Sequence, residues 1–405
     1  MEVSLTGVLV VAAVACAAPL ALRLVPSLPL PSAVLELAAG IVIGPAVLGW
    51  IHVDEPIRVL SLLGLAFLLF LAGLEIDARR LRGRPARLAV AGFAMSLVVA
   101  LTAGGALDAA GLVGSPLLVA IALTATSLGL VVPVLKDAGE SRTEFGELVI
   151  AGASVADFGA VILLSLLFSE DSSGSASRAI LLGGFALVAM AFALGLTRVA
   201  RSMRLTKPLV ALQDTTAQIR VRAAFVLLAG FAVLADRLGL ETILGAFTAG
   251  VLISVVDRDE AMTHPRFRVK LEGAGYGIFV PAFFVTSGLM FDLDALGHAR
   301  VLVLVPLFAL ALLAARGIPA LLYRPVLGAR RTAAAALLQA TSLPFLVAAA
   351  QIGMGLGTIS SGTGAALIAA GLLSVLVFPL AALGLLRTSG ASRGRLRAVP
   401  LPPPA

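Results

Sequence analysis

From Leu148 to Phe168 the chain reads LVIAGASVADFGAVILLSLLF, an apolar run interrupted by a single ionisable side chain, Asp157, near its midpoint. A run of this length spans a bilayer as one helix of roughly 20 residues. A carboxylate at that depth costs about 2.5–3.5 kcal/mol on insertion scales, and such groups mark ion or proton pathways. The bland alternative is a protonated carboxyl hydrogen-bonded to a neighbouring helix. Similar apolar blocks recur along the whole sequence. With 60% hydrophobic and 13% charged residues and a mean hydropathy of +1.06, the chain reads as a polytopic integral membrane protein. The single cysteine, Cys16, excludes an intrachain disulfide framework.

About thirteen spans are expected, near 5–22, 32–50, 57–76, 87–108, 115–135, 145–168, 178–198, 219–236, 240–256, 273–291, 300–322, 332–354 and 363–386. The first lacks a basic start and reads as a retained helix, not a signal peptide. Arginines and lysines gather in alternate loops, with Arg79, Arg80, Arg82, Arg84 and Arg87 after the third span and Arg258, Arg266, Arg268 and Lys270 after the ninth. The opposite loops carry acids and small residues, as in HVDEP at 52–56 and SEDSSGSAS at 169–177. This alternation predicts an outside amino terminus and a cytoplasmic carboxyl terminus in a cell membrane. The net charge of +7 therefore reads as membrane topology and not as a nucleic-acid footprint. No stretch reads as a soluble domain. Residues 1–386 form one membrane unit, and 387–405 a short, basic, Pro-rich, disordered tail.

Two spans carry polar centres followed by proline. In the fifth, Thr124, Ala125, Thr126 and Ser127 precede Gly129 and Pro133; in the twelfth, Gln339, Ala340, Thr341 and Ser342 precede Pro344. Proline removes a helical hydrogen bond and glycine tolerates unwound backbone. Unwound backbone inside a membrane lies against protein or a cavity. The pair runs in opposite senses across the membrane. Matching interrupted helices of this kind point to a transporter site between inverted repeats, here about 32–168 and 240–386. Two ordinary proline kinks are the competing reading. Half-helix ends and the hydroxyls of Thr124, Thr126, Ser127, Ser154, Thr341 and Ser342 are candidate supports for a hard monovalent cation at Asp157. The three histidines sit in loops, so no transition-metal site is expected.

Several stretches resemble the monovalent cation:proton antiporter-2 family, with its sodium(potassium)/proton exchanger domain. They are GIVIGPAVLGWI at 40–51, FLLFLAGLEIDARRL at 67–81, LTATSLGLVVPVLKD at 123–137, ADRLGLETILGAFTAGVLIS at 235–254 and FVPAFFVTSGLMFDL at 279–293. The resemblance implies an all-α, sodium/proton antiporter-like fold with two crossing interrupted helices. It implies a homodimer, with linking or dimerisation helices near 5–22 and 178–236, and an elevator-like alternation. It also implies that the sixth-span acid, Asp157, carries the ion and the proton. Ala156 stands where electrogenic relatives have a second acid, residues 273–291 contain no Lys or Arg, and QATSLPF lacks an Arg-Gly-Glu-like triplet. One carboxylate per protomer suggests one-for-one, electroneutral exchange of Na⁺ or K⁺ for H⁺. No cofactor is expected beyond these transported ions, and the chain reads as a transporter, not an enzyme. A cation channel and a transport-inactive sensor are the alternatives.

Arg316, near the end of the eleventh span, is expected to snorkel to the interface, with an internal ion pair to Glu144 or Glu147 as the other option. Glu75, beside Asp77, Arg79 and Arg80, reads as part of an interfacial salt bridge. Tyr276 reads as a packing residue.

Overall fold

A computed structural model describes residues 5–24, 31–76, 83–168, 175–200, 218–256 and 265–394, all helix, turn or coil. In chain order the helices are α1 (Thr6–Leu24), α2 (Ser32–Ile43), α3 (Glu55–Glu75), α4 (Gly83–Ala109), α5 (Pro116–Thr124), α6 (Leu128–Asp137), α7 (Glu144–Leu167) and α8 (Ser175–Ala200). They continue with α9 (Ile219–Arg237), α10 (Thr242–Val256), α11 (Pro265–Ala274), α12 (Val280–Leu289), α13 (Leu293–Leu296), α14 (Ala299–Gly317), α15 (Arg324–Gln339), α16 (Pro344–Gly355) and α17 (Ser361–Gly394). Each apolar block of the sequence coincides with one helix or one interrupted pair.

The boundaries differ where local chemistry intervenes. The second span stops at Ile43 because Gly44 precedes Pro45 and turns extended (ψ −179°). The Trp50 amide then bonds back to the Ile43 carbonyl at 3.0 Å. The tenth span is longer than expected, with a π turn at Gly275–Phe279 joining α11 to α12. After α14 the chain tightens into a 3₁₀ turn, Ile318–Tyr323, and bends again at Gly328 (φ +73°). The last helix runs on to Gly394, so the start of the expected disordered tail is helical; residues 395–405 lie outside the described residues.

The helices pack in two groups. In one, α3 lies along α10, α2 along α12, and α1 and α9 beside them. In the other, α4, α5 and α7 pack together, α14, α15 and α16 pack on α17, and α4 joins the two halves through α14. Helix α8 touches both groups, through α10 and α7. An ion pair, Arg331 Nη2–Glu140 Oε1 at 2.5 Å, ties α15 to the turn before α7.

Without a hydrophobic drive between helices in lipid, close approach depends on small residues. Two crossings use it in the same way. A Cβ on Gly40 (α2) would strike the Val285 carbonyl and crowd Gly288 on α12, and one on Gly288 would strike the Leu37 carbonyl. Likewise a Cβ on Gly73 (α3) would strike the Phe247 carbonyl, and one on Gly250 (α10) the Phe70 carbonyl. Backbone cannot yield as a flexible side chain does. Gly250→Val is therefore expected to cost at least about 1–3 kcal/mol through overpacking. Thermal unfolding in detergent checks this, with Val226→Leu at an exposed position expected to leave the midpoint unchanged.

Candidate functional site

The fifth and twelfth spans are each broken in the middle, and the breaks meet. The first is at residues 125–127, between α5 and α6; the second is at residues 340–343, between α15 and α16. The Ser127 amide donates to the Thr341 carbonyl at 2.9 Å, and the Thr126 hydroxyl donates to the Gln339 carbonyl at 2.6 Å. Pro344 opens α16 at its first turn, where its missing N–H removes no helical bond. Pro133 does not make the first break: it lies inside α6, as does Gly129.

Because α6 begins anew at Leu128, its first amides have no carbonyl a turn earlier to bond. The Leu128 amide, together with that of Thr126 in the break, bonds Asp157 instead. Its Oδ1 accepts from the Thr126 amide at 3.1 Å and its Oδ2 from the Leu128 amide at 3.3 Å. The carboxylate thus sits at the positive end of a half-helix.

Arg316 lies behind this cradle. It neither snorkels nor pairs with Glu144 or Glu147, both of which are exposed while Arg316 is 1% exposed. Its Nε donates to the Thr126 hydroxyl at 2.8 Å, Nη1 to Ser96 Oγ at 3.2 Å and Nη2 to the Gly152 carbonyl at 3.2 Å. Ser96 in turn donates to the Ala315 carbonyl at 2.6 Å. The arginine points inward because three acceptors from α4, α7 and the first break converge on it. Thr126 links the two charges, its amide on Asp157 and its hydroxyl oxygen on Arg316.

The remaining predicted residues divide. A cavity of about 160 Å³ is lined by Asp157, Thr126, Ser127, Leu128 and Pro344 among others. Thr124, Ser154, Gln339, Thr341 and Ser342 are buried but do not line it. The Thr124 hydroxyl donates to the Ile121 carbonyl at 2.7 Å, a bond within its own helix. The Thr341 hydroxyl does the same to Leu337 at 3.1 Å. Gln339 Nε2 donates to the Tyr323 hydroxyl at 2.9 Å. Ser374 clamps the second break, accepting from the Ser342 amide at 3.1 Å and donating to the Ser342 carbonyl at 3.0 Å. These groups hold the breaks in shape.

The cavity's opposite wall comes from the other helix group and includes Glu36, Glu75, Tyr276 and Phe284. Sequence reasoning missed both acids. Glu75 ends α3 beside arginines that lie outside the described residues, so its pattern resembles an interface pair. Glu36, 3% exposed, sits one turn inside α2. A signal existed for each: an acid on an otherwise apolar helix near a cavity is seldom idle. Among the described residues no group of three or more His, Cys, Asp or Glu side chains could hold a metal ion together.

A family model described as sodium/hydrogen exchanger, transmembrane, matches residues 10–387. The chain is 31% identical over 280 residues to the Na⁺/H⁺-K⁺ antiporter GerN of Bacillus cereus, covering 66% of this chain and 67% of that protein. It is 30% identical over 398 residues to the protein YjbQ of Bacillus subtilis, covering 93% of this chain but only 62% of YjbQ. Among solved structures, that of the sodium proton antiporter MjNhaP1 from Methanocaldococcus jannaschii superposes with a TM-score of 0.68 at 17% identity. The match covers 97% of this chain and 98% of that one, a likeness of fold.

Proposed function

The chain belongs to the sodium/hydrogen exchanger family, and on that premise we propose that it exchanges Na⁺ or K⁺ for H⁺ across a cell membrane, one for one. One observation carries this reading: the mid-span carboxylate of Asp157 is held by amides at the break of an interrupted helix and faces a cavity. In that low-dielectric setting an empty, charged carboxylate is costly to move, whereas one bearing a proton or a cation is nearly neutral. A single carboxylate binds one or the other. Competition then couples the two fluxes without any contact between the ions, because only loaded states cross.

Inverted repeats spanning about 32–168 and 240–386 fit the packing. The repeat relation exchanges the second span with the ninth and the third with the tenth. It therefore carries the α2–α12 crossing onto the α10–α3 crossing, and each of these has a glycine on both helices. In this account α4–α7 with α13–α17 move as the ion-carrying core. The resemblance supports a homodimer that meets through the helices near 5–22 and 178–236. The arginine-rich loops support a cytoplasmic carboxyl terminus.

The test is cation-induced dequenching of a pH-sensitive dye in proteoliposomes, with Na⁺, K⁺ and Li⁺ in turn and the membrane potential clamped or free. Proton movement that depends on Na⁺ or K⁺ and ignores the potential supports electroneutral exchange. No cation-dependent proton movement from well-folded protein at any pH contradicts it.

A further inference from the structure

The wall facing Asp157 holds a group for which the exchange cycle has no role. Glu75 closes α3, and its Oε2 is buried with no hydrogen-bond partner among the described residues. The contrast with Asp157 is sharp: that carboxylate accepts from two amides, while Glu75 Oε2 accepts from no donor among the described residues. A buried carboxylate oxygen without a donor is satisfied by a proton or a cation.

Its position relative to Asp157 is fixed by α6. The Leu128 amide holds Asp157 Oδ2, and the next residue is Gly129. A Cβ on Gly129 would lie 3.6 Å from Glu75 Oε1 and 3.4 Å from the Tyr276 hydroxyl. Glu75 and Tyr276 therefore stand against the first turn of the same half-helix whose amino end holds Asp157. Both line the same cavity, as does Glu36. The other charged groups acting on Glu75 are Asp157 on α7 and Arg268 and Glu272 on α11, the last two paired with each other at 3.0 Å.

We propose that Glu75 is a second binding residue of this cavity, a carboxyl on the facing helix group that takes up the incoming cation or proton before it reaches Asp157. The proposal rests on the exchange reading given above. It assigns Asp157 the carrier's role and Glu75 the entrance's, on the side where α3 ends and α2 begins. Fixed to the other group of helices, Glu75 raises the local cation concentration at the mouth but does not travel with the core.

Full-length wild type and the variants Glu75→Gln, Glu75→Asp and Asp157→Asn are compared in proteoliposomes, with NaCl and KCl as probes. Glu75→Gln is expected to keep exchange with kcat within about twofold, while the KM for the transported cation rises about tenfold, the scale of one facing charge at an intermediate dielectric. Glu75→Asp is expected to fall between it and wild type. A structural role alone would lower the amount of active protein and leave KM where it is. Wild-type exchange with an unchanged KM in Glu75→Gln overturns the proposal and leaves the exchange reading intact. Absence of exchange in wild type overturns the exchange reading itself. Complete loss of exchange in monodisperse Glu75→Gln also overturns the proposal, since it makes Glu75 as indispensable as the carrier. Should Glu75→Gln fail to fold, Glu75→Asp decides: its KM rises severalfold, and a wild-type KM there refutes the entrance role.

Discussion

Asparagine in place of Asp157 is expected to reduce cation-dependent proton movement to the level of empty liposomes. The two side chains are nearly isosteric, so the reason is chemical. The carboxylate accepts from two amides at once, those of Thr126 and Leu128. The asparagine amide offers one acceptor and one NH₂ group, so one backbone N–H meets another donor. Leaving one buried donor unsatisfied costs about 1–3 kcal/mol, which lowers the unfolding temperature without preventing folding. Function suffers far more, because the amide neither binds a proton in the working range nor neutralises a cation. Dye dequenching together with thermal unfolding of the same preparation checks both halves. A folded variant that still exchanges would remove Asp157 from the carrier's role.

Replacing Arg316 with methionine is expected to have the second large effect, on stability. This guanidinium joins four elements: α14, which bears it, α4 through Ser96, α7 through the Gly152 carbonyl, and the first break through Thr126. Hydrogen bonds from a charged donor contribute about 1.5–3 kcal/mol each. They are not additive, and relief from burying a cation offsets part of the loss. A net destabilisation of about 3 kcal/mol is expected, at the upper end of ordinary single-substitution effects, because a buried hydrogen-bond network is broken. Lysine should recover only part of it, since one ammonium cannot reproduce the planar fork. Unfolding in detergent separates this from an interfacial arginine, for which lysine would be silent.

The sequence made the breaks and the carboxylate legible for a shared reason. An acid in the centre of a long apolar run, and two polar tetrads followed by proline, are local exceptions to a strong pattern. Asp157, Thr126 and the meeting of the fifth and twelfth spans could therefore be read without coordinates. Arg316 could not, because a basic residue near a helix end has two physically reasonable destinations, and the choice depends on acceptors from three distant segments. Thr124 and Thr341 looked like ligands by composition, yet each hydroxyl bonds a backbone carbonyl one turn earlier in the chain. Glu75 was hidden by its neighbours: next to Asp77, Arg79 and Arg80 it reads as interface chemistry. Only the packing of α3 against α6 and the π turn brings it to the cavity.

In the proposed cycle cation and proton compete for the same carboxylate. The most direct test measures the KM for Na⁺ or K⁺ at a series of pH values, with the membrane potential clamped. Competition at a single site predicts that KM climbs toward tenfold for each unit of acidification, with an unchanged maximal rate. A KM independent of pH, with acidification acting only on the maximal rate, would mean that the two ions bind at separate groups and would contradict the mechanism.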